Sequence, residues 1–227
     1  MNIPDITIAV DGYSSTGKSS FAKLVARKFG FLYLDSGALY RAVTLHAQEN
    51  GLISASGEIS PELEPALQQL EVHFGADGKT YIGGRCVESE IRSMKVSSQV
   101  SPIAAVPFVR DWVDLSLHKL ASGGRVVMDG RDIGTSVFPD AELKIFMTAS
   151  AEVRARRRYE EMKSRGADPD YAEVLANIQQ RDYIDSHRDA SPLRRADDAF
   201  GLDNSEMTLE EELAWITGLI QGKFGIL

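Results

Sequence analysis

The apolar run Ile6-Thr7-Ile8-Ala9-Val10 stops at Asp11-Gly12 and reads as a buried parallel strand entering a tight turn. The period then changes. Phe21, Ala22, Leu24, Val25 and Phe29 share one face of a helix over residues 18–29, and Gly30 is its C-terminal stop. Phe31-Leu32-Tyr33-Leu34 predicts a second strand, and residues 37–50 predict a second helix closed by Gly51. The opening is therefore strand, helix, strand, helix.

The middle of the chain has a different rhythm. Residues 54–60 are rich in Ser and Gly, and Leu70-Glu71-Val72-His73-Phe74 alternates with period two. Ala76-Asp77-Gly78-Lys79 predicts a turn, with Thr80-Tyr81-Ile82 as the partner strand, so residues of about 55–95 are expected to form a small hairpin-containing insert. After Ser101-Pro102 one long helical pattern runs to about residue 121 and stops at Gly123-Gly124. Val126-Val127-Met128 predicts a buried strand ending in Asp129-Gly130, and residues 143–147 predict the next. Polar helices over 151–164 and 171–187, a short strand near 199–202 and a last helix complete the pattern. That last helix opens with Thr208 and Glu211 in capping-box spacing. Strands separated by helices imply an α/β fold with a parallel sheet covered on both faces.

Composition sets bounds on this picture. With 227 residues, 43% hydrophobic and 26% charged, the chain can bury one full core with an insertion: core 1–54 and 101–227, insert about 55–100. A formal net charge of −8 repels polyanions and argues against a nucleic-acid partner. Cys86 is the single cysteine, read as a small part-buried apolar residue, so no intramolecular disulfide or cysteine-built metal cage is expected. No export signal is read at the N-terminus, and no run approaches the roughly 18 apolar residues of a membrane span. A soluble cytoplasmic monomer is the expectation. His46, His73, His118 and His187 lie on separate elements with no metal spacing and are read as structural.

Chemistry enters at the first turn. Gly12-Tyr13-Ser14-Ser15-Thr16-Gly17-Lys18-Ser19 fits the phosphate-loop pattern G-x-x-x-x-G-K-[ST], between a predicted strand and a predicted helix. Small residues let backbone N–H groups close around phosphates, and the first helical turn directs its partial positive charge at them. The donor-nucleotide candidates are therefore residues 12–20, with Ser20 completing the turn; Lys18 reaches the β and γ phosphates, and Ser19 offers a hydroxyl to Mg²⁺. The fold class is thus α/β of the P-loop type. The loop does not identify the second substrate.

Arginines point to a second anion. Arg41 follows the second strand by one helical turn, and Arg131 and Asp132 follow the strand ending at Asp129, at the carboxyl edge where open α/β sheets bind ligands. Asp129 is placed to order a metal-bound water. Arg181, Asp185 and Arg188 fall at i, i+4 and i+7 on one helical face; a carboxylate there could accept from the exocyclic amine of cytosine, where uracil presents a carbonyl. Arg154, Arg156, Arg157, Arg158 and Arg165 concentrate charge on one short segment. Pairing of Arg156 with Glu160 and of Arg157 with Glu161 on an exposed helix explains them as well as closure of a lid over ATP, in which Arg157 and Arg158 would meet the transferring phosphoryl group.

Together these residues resemble the bacterial cytidylate kinases, nucleoside monophosphate kinases. The resemblance spans nearly the whole chain: the P-loop from Gly12, Leu34-Asp35-Ser36-Gly37-Ala38-Leu39-Tyr40-Arg41, Glu90-Ile91-Arg92, Asp129-Gly130-Arg131-Asp132-Ile133-Gly134-Thr135, Val137-Phe138-Pro139-Asp140-Ala141 and Gln180-Arg181-Asp182. It implies that Ser36 and Asp132 hold a ribose and that Arg41, Arg131 and Arg181 hold the acceptor phosphate. Ser101, Arg110, Asp185 and Arg188 would read cytosine, the segment of about 55–100 would be an NMP-binding insert, and residues 154–166 would be a short lid. ATP and Mg²⁺ are the implied cofactors, and CMP or dCMP the acceptor. Tyr13-Ser14-Ser15-Thr16 and Ser19 replace a commoner Pro-Ser-Gly-x and Gly of some relatives; Ser19 restores the Mg²⁺ hydroxyl usual in P-loops. Competing readings are a kinase for UMP or dephospho-coenzyme A, and a nucleotide-sensing switch, against which stands the lack of an N-K-x-D guanine reader.

Overall fold

Every strand of the main sheet runs parallel, and the strand that carries the P-loop lies in the middle. A computed structural model describes residues 3–75, 77–164 and 166–226. The chain divides into two compact units, residues 1–35 with 120–227, and residues 36–119.

In the first unit, β1 (Thr7–Gly12), β2 (Leu32–Asp35), β6 (Val126–Gly130), β7 (Leu143–Thr148) and β8 (Phe200–Asp203) form one sheet in the order β2-β6-β1-β7-β8. The two central ladders align Val10 with Asp129 and with Ile145, so β1 and β6 end side by side at the carboxyl edge. Burial on both faces explains why β1 carries the apolar stretch Ile8-Ala9-Val10 and β7 the stretch Ile145-Phe146-Met147. Helix α1 (Lys18–Phe29) packs Phe21, Ala22 and Val25 on Ile8, Val10 and Val127, and helix α8 (Leu209–Phe224) adds Ile216 and Ile220 to the same core. Its N-terminus carries the predicted capping box, with both reciprocal bonds between Thr208 and Glu211 formed. Helices α6 (Ala151–Ser164) and α7 (Tyr171–His187) pack through Ala155, Val174 and Ile178, and both match the lengths read from the sequence.

The second unit holds helices α2 (Ser36–Glu49) and α3 (Leu63–Leu67), and the antiparallel strands β3 (Val72–Phe74), β4 (Thr80–Ile82) and β5 (Arg85–Cys86) in that order. A 3₁₀ turn (Glu90–Arg92) and helices α4 (Met94–Ala104) and α5 (Pro107–Ala121) follow. Ala38, Ala42, Leu45, Val87, Ile91 and Val96 form its small core. The expected turn is present through Asp77-Gly78; Ala76 lies outside the described residues. Cys86 is exposed, which corrects the part-buried expectation: it sits on a two-residue edge strand whose residues are both exposed. The single long helix after Pro102 is also corrected. Pro102 lies inside α4, and the chain breaks at Ala105-Val106, where Pro107 starts α5 with the fixed φ and missing N–H that a first helical position tolerates.

No helix among the described residues is long and apolar enough to cross a membrane.

Candidate active site

The P-loop owes its shape to alternating backbone handedness. Gly12, Ser15 and Gly17 have φ of 147°, 59° and 93°, in the range that L side chains rarely adopt. Such alternation turns successive N–H groups inward as an anion-binding nest. Helix α1 begins directly behind it, with no side-chain cap on Gly17 and no acidic residue in its first turn, so its first N–H groups are available to an anion. Lys18 is buried; its Nζ donates to the Tyr13 carbonyl at 2.5 Å and to Thr16 Oγ1 at 3.3 Å. Burial, with Arg131 nearby, pulls this ammonium well below the ordinary lysine range, and Asp129, Asp11 and Asp185 oppose the shift. Ser20 is exposed on the first turn of α1.

Ser19 Oγ donates to Asp129 Oδ2 at 2.8 Å, and Tyr33 Oη donates to Oδ1 of the same carboxylate at 2.7 Å. Burial raises the Asp129 carboxyl, and Asp35 adds to the rise. Ser19 and Asp129 are thus adjacent hard-oxygen groups, the donor type Mg²⁺ prefers.

Beyond β6 the chain makes one π-helical turn over Ile133–Val137. Asp11, at the end of β1, fixes its start by accepting the N–H groups of Ile133 at 2.8 Å and Gly134 at 2.7 Å. This places Arg131 and Asp132 at the sheet edge. Arg131 Nε donates to Asp185 Oδ2 at 2.9 Å, and Arg188 Nη2 donates to Asp132 Oδ1 at 3.2 Å. Although burial pushes the Asp185 carboxyl up, Arg131, Arg181 and Arg188 outweigh it and hold the group below the usual carboxylate range. Arg181 and Asp185 lie on α7 as expected, but the common helical face stops there. Arg188 caps the C-terminus in an extended conformation, and its guanidinium folds back on the Ser191 carbonyl and Asp132.

Four candidates lie in the second unit. Ser36 opens α2 in a buried position and Arg41 follows on the same helix; Ser101 is buried in α4. Arg110, buried in α5, donates to the Ala104 carbonyl at 3.1 Å and lies 5.6 Å from the Tyr40 ring centroid.

The arginine segment is not a uniform mobile patch. Arg154 is buried, and Arg157 Nη1 donates to the Thr16 carbonyl at 3.2 Å, where the sequence had offered Glu161 or a transferring phosphoryl group. The helix turns Arg157 toward the P-loop, and Arg158 takes Glu161 at 2.9 Å. Arg156 is exposed, and Arg165 lies outside the described residues. Tyr33, Asp11 and Asn204 were given no role in the sequence, and Asp182 stood there only as the end of the Gln180-Arg181-Asp182 stretch; Asp11 abuts the phosphate-loop motif.

The family model described as cytidylate kinase matches residues 8–222. Among curated proteins, a cytidylate kinase of Bacteroides thetaiotaomicron is 49% identical over 217 residues, covering 93% of this chain and 95% of its own. One of Bacteroides fragilis is 50% identical over 216 residues (93% and 94%), and one of Flavobacterium psychrophilum 46% over 220 residues (95% and 97%). A crystal structure of an uncharacterized protein from Eubacterium ventriosum, 12% identical, aligns over 96% of this chain and 99% of that one with a TM-score of 0.50, a likeness of fold alone.

Proposed function

We propose that this chain, which belongs to the cytidylate kinase family, transfers the γ-phosphoryl group of ATP to CMP or dCMP. The observation that carries the reading is the set of part-buried Arg131 with buried Asp132, Asp185 and Arg188 at the end of β6, the strand beside the one that leads into the P-loop. Two carboxylates and two guanidiniums there suit a ligand with both an anion and an amine. Asp185 commits Oδ2 to Arg131 and leaves Oδ1 for an amine such as N4 of cytosine.

Transfer is in line, from the γ-phosphorus to a phosphate oxygen of the acceptor. That oxygen is already anionic, so no general base is needed, and catalysis is positioning with charge neutralisation. Lys18, freed from the Tyr13 carbonyl, moves to the β and γ phosphates. Phosphate charge beside it opposes the burial that lowers its proton affinity. Arg131, with Arg41 and Arg181, holds the acceptor phosphate, and Ser36 and Asp132 the ribose. Ser101, Arg110, Asp185 and Arg188 read the base, and Arg158 faces the transferring group. Ser19 directly and Asp129 through water would hold Mg²⁺, which supplies charge neutralisation between the phosphates. The reading includes a monomer working in the cytoplasm, where the exposed Cys86 thiol stays reduced.

The test is ADP release with CMP, dCMP, UMP, AMP, GMP and dephospho-coenzyme A. Rapid release is expected with CMP and dCMP only. A preference for UMP or dephospho-coenzyme A, or a rate no higher than without acceptor, would replace the reading by a sibling kinase or a nucleotide sensor.

A further inference from the structure

The nest that opens toward phosphate is gripped from behind. Ser14 has both halves of its backbone engaged: its N–H donates to Asp182 Oδ1 at 3.3 Å, and its carbonyl accepts from Arg154 Nη1 at 3.1 Å. Asp182 and Arg154 also bond to each other at 2.5 Å, with side chains only 15% and 7% exposed. Arg154 Nε is held by the Ala149 carbonyl at 2.9 Å, just past the end of β7, and its guanidinium lies 5.3 Å from the Tyr13 ring centroid. Tyr13 in turn meets Phe146 edge to face, with ring centroids 6.0 Å apart.

One helical turn further, Arg157 takes the Thr16 carbonyl, to which Asn204 Nδ2 adds a second bond at 2.8 Å. The carbonyls of residues 14 and 16 are therefore both fixed, and they flank Ser15, whose φ is positive. A peptide plane is rigid, so fixing its carbonyl also fixes the N–H of the following residue. Arg154 thereby sets the N–H of Ser15, and Arg157 with Asn204 sets that of Gly17.

We propose that the Asp182–Arg154 ion pair is a positioning element for the donor nucleotide, which holds the Ser14 peptide so that the P-loop is shaped for the triphosphate before ATP arrives. The proposal rests on the kinase reading only in taking ATP as the loop's ligand. Asp182 lies beside Arg181 and three residues before Asp185, so α7 carries both this brace and acceptor-side charge. A defect in the brace should fall mainly on ATP, because its hydrogen bonds to the binding machinery end on Ser14 of the loop, while Asp182 reaches the acceptor-side Arg131 only through space.

Three variants test it, with KM for ATP and CMP from steady-state kinetics and Kd for ATP from calorimetry without acceptor. Asp182→Asn keeps an oxygen for the Ser14 N–H but leaves Arg154 without its countercharge. It is expected to raise KM and Kd for ATP about tenfold, or about 1.4 kcal/mol, and to change KM for CMP less than twofold. Asp182→Ala removes both contacts and should exceed it. Arg154→Lys cannot reach Ala149, Ser14 and Asp182 with one ammonium and should show the same split. Equal rises in both KM values, or an unchanged Kd for ATP, would reduce the pair to a structural bridge and overturn the proposal. If the Asp182 variants do not fold, Arg154→Lys is judged by the same criteria. Lack of CMP-dependent turnover in the unmodified protein would sink the substrate assignment, while calorimetry with ATP would still decide on the brace.

Discussion

Asp185 is a single carboxylate on which two tasks meet. It neutralises Arg131 at 2.9 Å in a buried position, and its free oxygen is the group proposed to select cytosine. Replacement by Ala removes the acceptor that favours an amine and the negative charge that repels a carbonyl. Asp185→Ala is therefore expected to narrow the CMP-over-UMP ratio of kcat/KM at least about tenfold, within the 1–3 kcal/mol of one base-reading contact. It should also lower kcat with CMP, because the part-buried Arg131 loses the carboxylate that orients it. Rates measured on both nucleotides check this, and an unchanged ratio would move base reading to other side chains. Asp185 and Arg131 could be found from the sequence because each stands at a fixed offset from a helix or strand end. The bonding roles of Asp182 and Asn204 could not: their partners, Ser14 and Thr16, lie 168 and 188 residues away, and an Asp or Asn bonded to a distant backbone group leaves no spacing to read.

At the level of elements, the sheet edge depends on how closely β1 and β7 approach. Gly12 pairs with Met147, and a Cβ on Gly12 would lie 2.1 Å from the Met147 carbonyl oxygen, at a φ of 147° that no L side chain favours. The obstruction is backbone on a fully paired strand and cannot swing aside. Gly12→Ala should cost about 3 kcal/mol or more and lower Tm by roughly 6–12 °C, given about 2–4 °C per kcal/mol at this chain length. A thermal melt decides; a shift under about 3 °C would mean that the strands part cheaply. The parallel strands and the helices α1, α6, α7 and α8 were legible because each has a long apolar pattern or a strong stop. The α4–α5 break was not. Ser101-Pro102 looks like a helix start, yet Pro102 comes late in α4, and the residue that ends the run is Val106, turned away from helical backbone by the proline after it.

For the molecule as a whole, an excess of 33 acidic over 25 basic residues makes solution pH a lever on stability, and the buried carboxylates set its sign. Burial raises Asp11 from 3.8 to about 7, helped by Asp132 and opposed by the Ile133 and Gly134 N–H groups and by Lys18. A carboxyl raised in the native state binds its proton more tightly there than in the unfolded chain. Its contribution is complete below about pH 4 and is lost as pH rises through about 7. Three units correspond to about 4 kcal/mol. Asp129 and Glu212, also raised by burial, act in the same direction; Asp185, held down by its arginines, contributes above its unfolded value and loses that contribution in acid. Asp11→Asn separates the first effect from the rest. The variant cannot titrate, and it forfeits one of the two N–H bonds, so it should be less stable than the parent at pH 4.5. The gap should then close by about 3 kcal/mol toward pH 8, as only the parent pays for a buried charge. Urea unfolding at half-unit steps from pH 4.5 to 8 measures it. A gap that stays level from pH 4.5 to 8 would mean that the two N–H bonds win over desolvation, and that Asp11 holds the Arg131–Asp132 turn as an anion throughout.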